Sequence, residues 1–240
     1  MRGGYLFQLG LVPYGEAFAL QRSLAGAVSQ GAIPETIVFL EHPPVVTMGR
    51  RTDEGELHLP DGVEVDVVET DRGGKSTFHG PGQLVCYPIL DLTRHGRDVK
   101  RYVRDLERAI VQTLSAFGLE ATSIDGLTGV WMPAANGQGP RKIGSIGVHV
   151  SRWVTTHGYA LNVDLDPGPF TDWITACGLE DAMFTTMALE LGKPVTVTDV
   201  RPAAIAAIAD VFELELEELP AENAHGLWPQ PVHSRLAAQR

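Results

Sequence analysis

The chain has 240 residues, enough for one large domain with a substantial buried core. Hydrophobic residues make up 44% and charged residues 20%, which is ordinary globular composition, and the formal net charge is −11. An acidic chain is a poor general binder of nucleic acid or anionic membrane, so neither is expected as a partner. Two cysteines do not make a disulfide framework, and the N-terminus lacks a signal-peptide pattern. With no apolar run long enough for a membrane span, we expect a cytoplasmic protein.

The first half of the chain predicts short strands separated by two helices. Apolar and β-branched residues predict strands over 5–11, 36–41 and 45–48, and alternation with acidic residues predicts another over 63–67. Apolar residues at helical spacing predict helices over 13–30, opened by Pro13, and over 98–119. Glycine and proline predict loops at 72–75 and 80–82, and a strand follows over 83–90.

The second half predicts strands over 129–132, 142–150 and 156–163, then a short helix after Pro169. A helix is predicted over 198–216, with Thr198 or Asp199 near its cap. Strands in hairpin-like pairs with inserted helices favour an α+β fold with a mixed, mostly antiparallel sheet, not a doubly wound parallel sheet. Residues 220–240 have no period and predict a surface or disordered tail after a domain over 1–219.

A glycine-rich segment over 71–83 combines an irregular backbone path with several polar side chains. Glycine lets backbone approach a ligand closely and exposes amides toward negative charge. The phosphate-binding pattern G-x-x-x-x-G-K and the dinucleotide pattern G-x-G-x-x-G are both absent. Arginine, lysine, threonine, histidine and glutamine occur together here, which favours a functional loop over a structural connection. His79 by itself, like His42, is more typical of a structural histidine, and no metal-ligand spacing is found.

Cys177 and Lys142 are the candidate nucleophile and base, because each lies in a glycine-punctuated apolar segment. Cys86 alternates with Leu84 in a predicted strand, which is typical of an inert core cysteine. Cys177 instead stands at a predicted loop–helix junction before Gly178, where free backbone amides can stabilise an oxyanion. Sequence spacing alone does not decide whether Cys177 is catalytic or structural. It also does not show whether the Cys177 side chain contacts Lys142.

Several segments occur together in the order found in one family. They are Glu41-His42-Pro43-Pro44 with Thr47-Met48-Gly49-Arg50, Arg72-Gly73-Gly74 with Thr77-Phe78-His79-Gly80-Pro81-Gly82-Gln83, Lys142-Ile143-Gly144 with Ile146-Gly147-Val148, His157-Gly158 with Ala160-Leu161-Asn162, and Cys177-Gly178-Leu179. From about Gln8 to Gly192 the chain resembles the lipoyl(octanoyl) transferases of the biotin/lipoate protein ligase superfamily. Ala176 stands where that family commonly has proline, and Ser145 where it has alanine.

The resemblance implies a large mixed sheet flanked by helices, plus a smaller sheet. It implies that Cys177 carries an octanoyl thioester and that Lys142 is its acid/base partner. The substrate-binding residues that it implies are Arg72, Gly73, Gly74, Lys75, Ser76, Thr77, Phe78, His79, Ser145, Ile146, Gly147, His157, Gly158 and Ala160, with His42, Tyr87 and Asn162 as supporting residues.

The resemblance also implies the partners. Octanoyl-acyl-carrier protein is the donor, and the acceptors are lipoyl domains of 2-oxoacid dehydrogenase complexes and the glycine cleavage H protein. Forming an amide from a thioester is downhill, so the implied enzyme needs no ATP. We expect a monomer with no cofactor and no metal. The candidate docking face for these acidic partners is basic and comprises Arg50, Arg51, Arg72, Arg141 and Arg152. In the alternative interpretation, these arginines are scattered, solvated surface charges and do not form a docking face.

Three other functions are compatible with parts of the pattern. An ATP-dependent lipoate or biotin ligase would share the fold but adenylate its substrate and need no cysteine. A non-catalytic module would bind octanoyl-carrier protein without turnover. A thiol hydrolase would pair Cys177 with His79, His149 or His157, but no motif of such families surrounds the cysteine. Cys177 and the run from His79 to Gln83 favour the transferase.

Overall fold

A computed structural model describes residues 1–135, 137, 139–174 and 183–225 of the chain. The strands are β1 (Arg2–Leu11), β2 (Glu35–Glu41), β3 (Val45–Met48), β4 (Asp66–Glu69), β5 (Thr77–His79), β6 (Gln83–Ile89), β7 (Thr122–Ile124), β8 (Leu127–Met132), β9 (Arg141–Ser151), β10 (Val154–Asn162), β11 (Met183–Phe184) and β12 (Leu214–Leu219). The helices are α1 (Tyr14–Ser29), α2 (Val99–Ser115), α3 (Pro169–Asp172), α4 (Met187–Leu191), α5 (Val197–Phe212) and α6 (Ala221–His225). None of the helices in these ranges is long and apolar enough to cross a membrane.

The large sheet is mixed and has the order β12-β1-β2-β6-β10-β9-β8-β7, with β11 beside β9. β1 is parallel to β12 and β2, and β11 is parallel to β9. Every pair from β2 across to β7 is antiparallel. A smaller sheet has the order β4-β3-β5. The predicted α+β fold with a mixed, mostly antiparallel large sheet is confirmed.

Two hydrophobic clusters cover the two faces of the large sheet. Helices α2 and α5 pack on one face, where Phe39, Leu84 and Cys86 are fully buried. Helix α1 packs on the other face, which carries Val85 and Tyr87. Successive residues of β6 alternate between the faces, as strand geometry requires. Cys86 is therefore the core residue that its sequence context predicts.

One irregularity in β9 decides which face Lys142 occupies. Trp131 pairs with Lys142, whereas the residue before Trp131 pairs two positions further along β9, so Ile143 is an extra residue. Ile143 is buried in the cluster under α2 and α5. Ser145 pairs with Ala160, which belongs to the α1 face. This β-bulge brings Lys142 and Ser145 to the wall of one cavity, although strict alternation would place them on opposite faces.

The predicted helix over 198–216 is wrong at its C-terminal end. Helix α5 ends at Phe212, and Glu213 adopts the left-handed conformation with φ 54°. The next residues, Leu214–Leu219, form β12, whose Leu-Glu-Leu-Glu start has the period of a strand and pairs with β1. The helix also begins earlier than predicted, because Thr196 is its cap and forms a capping box with Asp199.

Other boundaries also differ from the sequence prediction. The strand predicted over 63–67 forms later, at Asp66–Glu69, where it pairs with β3. Strands β5 and β7 were not predicted. Residues 221–225 form α6, whose Ala224 is fully buried in the cluster under α1, so the first part of the predicted tail packs on the domain. Residues 226–240 lie outside the described ranges, and the domain boundary stays a prediction.

Gly158 lies where β10 passes close to the backbone of β6, which gives a test of the fold. A Cβ at this position would overlap the Cys86 carbonyl oxygen and stand 2.6 Å from Cδ of Pro88. We expect Gly158→Ala to lower the free energy of unfolding by about 1–3 kcal/mol, because the two strands must move apart. Urea unfolding measures this. Gly10→Ala in β1 is the control, since no atom lies within 4 Å of its Cβ position. Equal stability of the two variants would contradict the packing described.

Candidate active site

A cavity of about 420 Å³ lies against the hairpin of β9 and β10. Fifteen of the sequence-predicted site residues line it: Arg72, Gly73, Gly74, Lys75, Ser76, Thr77, His79, Tyr87, Lys142, Ser145, Ile146, Gly147, His157, Gly158 and Ala160. Phe78, His42 and Asn162 are buried but do not line it. Phe78 instead packs edge-on against the ring of Phe170 in the cluster beside the small sheet. Cys177 lies outside the described residues.

Lys142 reaches the cavity wall with only 5% of its surface exposed. Its Nζ lies 5.0 Å from the centre of the Trp131 ring, within the range of a cation–π contact. Gly129 has φ 115°, and a Cβ there would stand 2.7 Å from Cε of Lys142. Glycine at position 129 therefore leaves the space through which the lysine side chain passes.

Strand β11 brings the chain back beside Lys142 directly after the segment that carries Cys177. Ile174, the last described residue before that segment, is 1% exposed and bridges to Leu57. Phe184 pairs with Lys142 across β11 and β9. Residues 175–182, which include Cys177, are outside the described residues, so the predicted contact between Cys177 and Lys142 stays a prediction.

Arg72 is 7% exposed, and its guanidinium holds the glycine-rich loop. Nη2 donates to the carbonyl of Thr47 at 2.6 Å and to its hydroxyl at 2.7 Å. Nη1 donates to the carbonyls of Lys75 at 2.7 Å and Gly73 at 3.2 Å. A Cβ on Gly147 would stand 3.0 Å from Cδ of Arg72, so glycine is needed beside it. Arg72 thus shapes the cavity wall by fixing backbone.

This arrangement corrects the predicted docking face. Arg72 is buried, and Arg141 makes two hydrogen bonds to Glu190, at 2.8 and 3.0 Å. Lys75, a further basic residue of the loop, pairs with Glu56, and this hydrogen bond raises the pKa of the Lys75 amine. The exposed members that remain of the predicted docking face are Arg50, Arg51 and Arg152.

His42 supports the cavity from behind through Tyr87. Nδ1 of His42 donates to the Val12 carbonyl at 2.7 Å, so Nε2 accepts from the hydroxyl of Tyr87, also at 2.7 Å. Burial lowers the pKa of His42 to about 4, so the ring is neutral near pH 7. Tyr87 lies in the cavity wall, and this bond fixes the direction of its hydroxyl proton.

His157 has a left-handed backbone, with φ 58°, and its ring contacts Asp71 and Tyr14. Nε2 of His157 donates to Oδ1 of Asp71 at 2.7 Å, and Nδ1 accepts from the hydroxyl of Tyr14 at 3.4 Å. Burial lowers the pKa of His157 to about 4, and the Asp71 carboxylate opposes this effect only in part. Burial also raises the pKa of Tyr14 to about 12. Both rings line the cavity in neutral form.

Sequence reasoning missed several residues of this site. Tyr14 and Trp131 line the cavity, but their positions predicted only the start of a helix and the body of a strand. Gly129 was assigned only to a strand, and Asp71 only to the glycine-rich loop. Gln83 was recognised as part of a motif, and its role appears only in its buried contacts with His79 and Asn162. A glycine inside a strand indicates that another group approaches the backbone closely, and Gly129, which the Lys142 side chain passes, was the one such local signal.

Comparisons with known proteins agree with this geometry. The chain matches the family described as Lipoyl protein ligase A/B catalytic domain over residues 13–209. It is 50% identical over 207 residues to the octanoyltransferase of Mycobacterium tuberculosis (strain ATCC 25618 / H37Rv), covering 86% of each chain. It is 42% identical over 235 residues to the octanoyltransferase of Geobacter sulfurreducens, covering 98% of this chain and 96% of the relative.

Solved structures with lower identity share the fold. The chain superposes on the bipartite lipoate protein ligase of Thermoplasma acidophilum with a TM-score of 0.72 at 17% identity, covering 95% of this chain and 91% of that one. Superposition on lipoate-protein ligase A bound with ATP gives a TM-score of 0.67 at 16% sequence identity, and it covers 95% of this chain and 92% of that one. The architecture is thus that of the lipoate protein ligases. Within that class, the match over most of its length and the 42–50% identity show that the chain belongs to the octanoyltransferase family.

The two low histidine pKa values predict how stability depends on pH. His42 and His157 have folded pKa values of about 4, whereas an unfolded histidine titrates near 6.5. Between these values the unfolded chain binds more protons than the folded protein. The free energy of unfolding should therefore fall as the pH drops from about 6.5 to about 4, by at most about 3 kcal/mol for each histidine.

Urea unfolding at several pH values across this window measures the slope. His42→Asn should make the slope shallower, because asparagine keeps a donor for the Val12 carbonyl but does not titrate. A slope that is unchanged in this variant would contradict a neutral, buried His42.

Proposed function

We propose that the protein transfers an octanoyl group from octanoyl-acyl-carrier protein to a lysine of a lipoyl-accepting domain. Cys177 carries the group as a thioester, and Lys142 moves the protons. The observation that carries this proposal is the buried amine of Lys142 in the cavity wall, next to the strand that follows the Cys177 segment. Membership of the octanoyltransferase family supports the same chemistry.

Four small residues of the β9–β10 hairpin form the surface on which the acyl chain would lie. Ser145 pairs with Ala160 and Gly147 pairs with Gly158, so the four lie side by side across β9 and β10. All of them line the cavity. Because they carry no large side chain, an unbranched hydrocarbon can lie along them, and its burial there would be favourable.

The first step is thioester exchange. The Cys177 sulfur attacks the acyl carbonyl, a new carbon–sulfur bond forms, and the phosphopantetheine thiolate leaves. Lys142 takes the thiol proton and gives it to the departing thiolate. Exchange of one thioester for another is nearly balanced in energy, so the protein contributes mainly position and a base.

The second step forms the amide. The neutral amine of the acceptor lysine attacks the Cys177 thioester, and the Cys177 thiolate leaves. Lys142 takes the proton lost by the amine and returns it to the thiolate, which restores the starting protein. No ATP enters either step.

The family resemblance implies that the carrier protein and most acceptor domains are acidic, so a basic surface near the cavity would suit their docking. Arg51 lines the cavity, and both it and its neighbour Arg50 are exposed. We place the docking of the carrier protein and of the acceptor lipoyl domains there, with Arg152 as a second contact.

Incubation with octanoyl-acyl-carrier protein, without ATP, should add one octanoyl group to the protein by intact mass. Cys177→Ala should abolish the adduct, because no nucleophile remains at that position. Cys86→Ala is the matched control, since Cys86 is fully buried in the core and should not react. An adduct that persists in Cys177→Ala, or one that forms only with ATP and magnesium, would refute the proposed route.

Replacing Lys142 tests the base. Lys142→Met keeps a flexible chain over Trp131 but removes the amine, so the rate of octanoyl transfer to an acceptor domain should fall by about 10²–10⁴-fold. Circular dichroism should show an unchanged fold. The control is Lys193→Met, because Lys193 is exposed and does not line the cavity. A near-normal rate in Lys142→Met would remove this residue from the mechanism.

A further inference from the structure

Three buried residues connect His79 to the backbone of Lys142 through one continuous chain of hydrogen bonds. The Lys142 carbonyl accepts from the Thr185 backbone N–H at 3.0 Å. The Thr185 carbonyl accepts from Nδ2 of Asn162 at 3.1 Å, and Oδ1 of Asn162 accepts from Nε2 of Gln83 at 3.0 Å. Oε1 of Gln83 lies 2.7 Å from Nδ1 of His79. We call this chain the His79 relay.

The direction of every bond in the His79 relay follows from its far end. The Thr185 carbonyl can only accept, so the Asn162 side chain must turn its nitrogen toward Thr185 and its oxygen toward Gln83. Gln83 must then turn its nitrogen toward Asn162 and its oxygen toward His79. Because an amide oxygen cannot donate, the proton of this bond is on Nδ1 of His79.

No water is needed to complete the His79 relay, and reversal is costly. Gln83, Asn162 and Thr185 are at most 3% exposed, and His79 is 7% exposed. Turning either amide over would face two donors or two acceptors toward each other in a buried place, and each group left unsatisfied there is strongly unfavourable. The His79 relay therefore holds one arrangement.

The His79 ring carries this single proton. Burial keeps the pKa of His79 well below its ordinary value, and the nearby His42 and Arg72 act in the same direction. Of the other titratable groups around the ring, His157 also lowers it, and Tyr14 stacks on it at 6.0 Å between ring centres. With Nδ1 protonated and the ring neutral, Nε2 keeps its lone pair, and the ring lies in the cavity wall.

We propose that Gln83, Asn162 and Thr185 are positioning residues that hold His79 as the Nδ1–H tautomer, so that Nε2 accepts a hydrogen bond from the acceptor lysine amine. This assignment of the ligand rests on the proposed function. An unprotonated Nε2 selects an N–H donor and does not bind the carbonyl oxygen of the thioester, which can only accept. His79 then orients the amine while Lys142 takes its proton.

The position of the His79 relay gives it a second consequence. Thr185 follows β11, the strand that comes directly after the Cys177 segment, and its N–H is bonded to Lys142. The same hydrogen-bonded unit thus fixes the backbone of the proposed base and the ring that meets the amine. Because Lys142 acts in both steps and the acceptor amine enters only in the second, loss of Nε2 of His79 should slow the second step more than the first.

Nitrogen-15 NMR of the resting protein, labelled at histidine, measures the tautomer directly. We expect the His79 signal, identified by its loss in His79→Asn, to show a protonated Nδ1 and an unprotonated Nε2 near pH 7. In Gln83→Leu the acceptor for Nδ1 is gone, so the Nε2 signal should shift to that of a protonated nitrogen. Cys86→Ala, in the same buried strand but outside the His79 relay, should leave the signal unchanged. A protonated Nε2 in the wild-type protein would overturn the proposal.

The two half-reactions test the role of Nε2. His79→Asn keeps a side-chain N–H that can donate to Gln83 but removes the Nε2 acceptor, so a purely structural His79 would leave this variant active. We expect octanoyl-adduct formation close to that of the wild type and transfer from the adduct to the acceptor domain slower by on the order of 10²-fold. Transfer at the wild-type rate would overturn the proposal. If the wild-type protein formed no adduct, the proposed function would fail instead, and the tautomer measurement would still decide the His79 relay.

Discussion

One extra residue in strand β9 gives the cavity its lysine. Without the bulge at Ile143, Lys142 would point to the face that packs under α2 and α5, where its amine would lie in the apolar core. With the bulge, the side chain passes over Gly129 and reaches the wall that also contains Ser145. β-Bulges are common beside active sites because they re-aim a side chain without breaking the sheet. The proposed proton chemistry depends on this local change.

The second constraint on the site is that its polar groups are buried. Hydrogen bonds to protein acceptors therefore fix how these groups are oriented. His42, His79 and His157 are neutral, and each has one ring nitrogen committed to a protein acceptor: a carbonyl, an amide oxygen or a carboxylate. Nε2 of His42 and Nδ1 of His157 accept from tyrosine hydroxyls, whereas Nε2 of the neutral His79 ring keeps a lone pair in the cavity wall. The cavity therefore combines oriented polar groups with small residues of β9 and β10, which suits a substrate with a reactive head and a hydrocarbon tail.

Most of the predicted site residues line the cavity, because they belong to motifs that can be recognised in the sequence. Their roles depend on long-range contacts that no local pattern displays. Arg72 is predicted to bind substrate and lines the cavity, but the bonds of its guanidinium to Thr47 depend on a contact that its local motif does not display. The predicted helix over 198–216 extends into the first three residues of β12, because the left-handed residue that ends α5 is Glu213 and not a glycine, which would have indicated the end of the helix. The β-bulge at Ile143 likewise has no recognisable signal in the local sequence.

A crystal structure of the octanoylated protein would show directly where the acyl chain and the Cys177 sulfur lie relative to Lys142. The account predicts that the acyl chain lies along Ser145, Gly147 and Gly158, with Nζ of Lys142 within about 3–4 Å of the Cys177 sulfur. An acyl chain bound outside this cavity, or a sulfur held beyond the reach of Lys142, would contradict it.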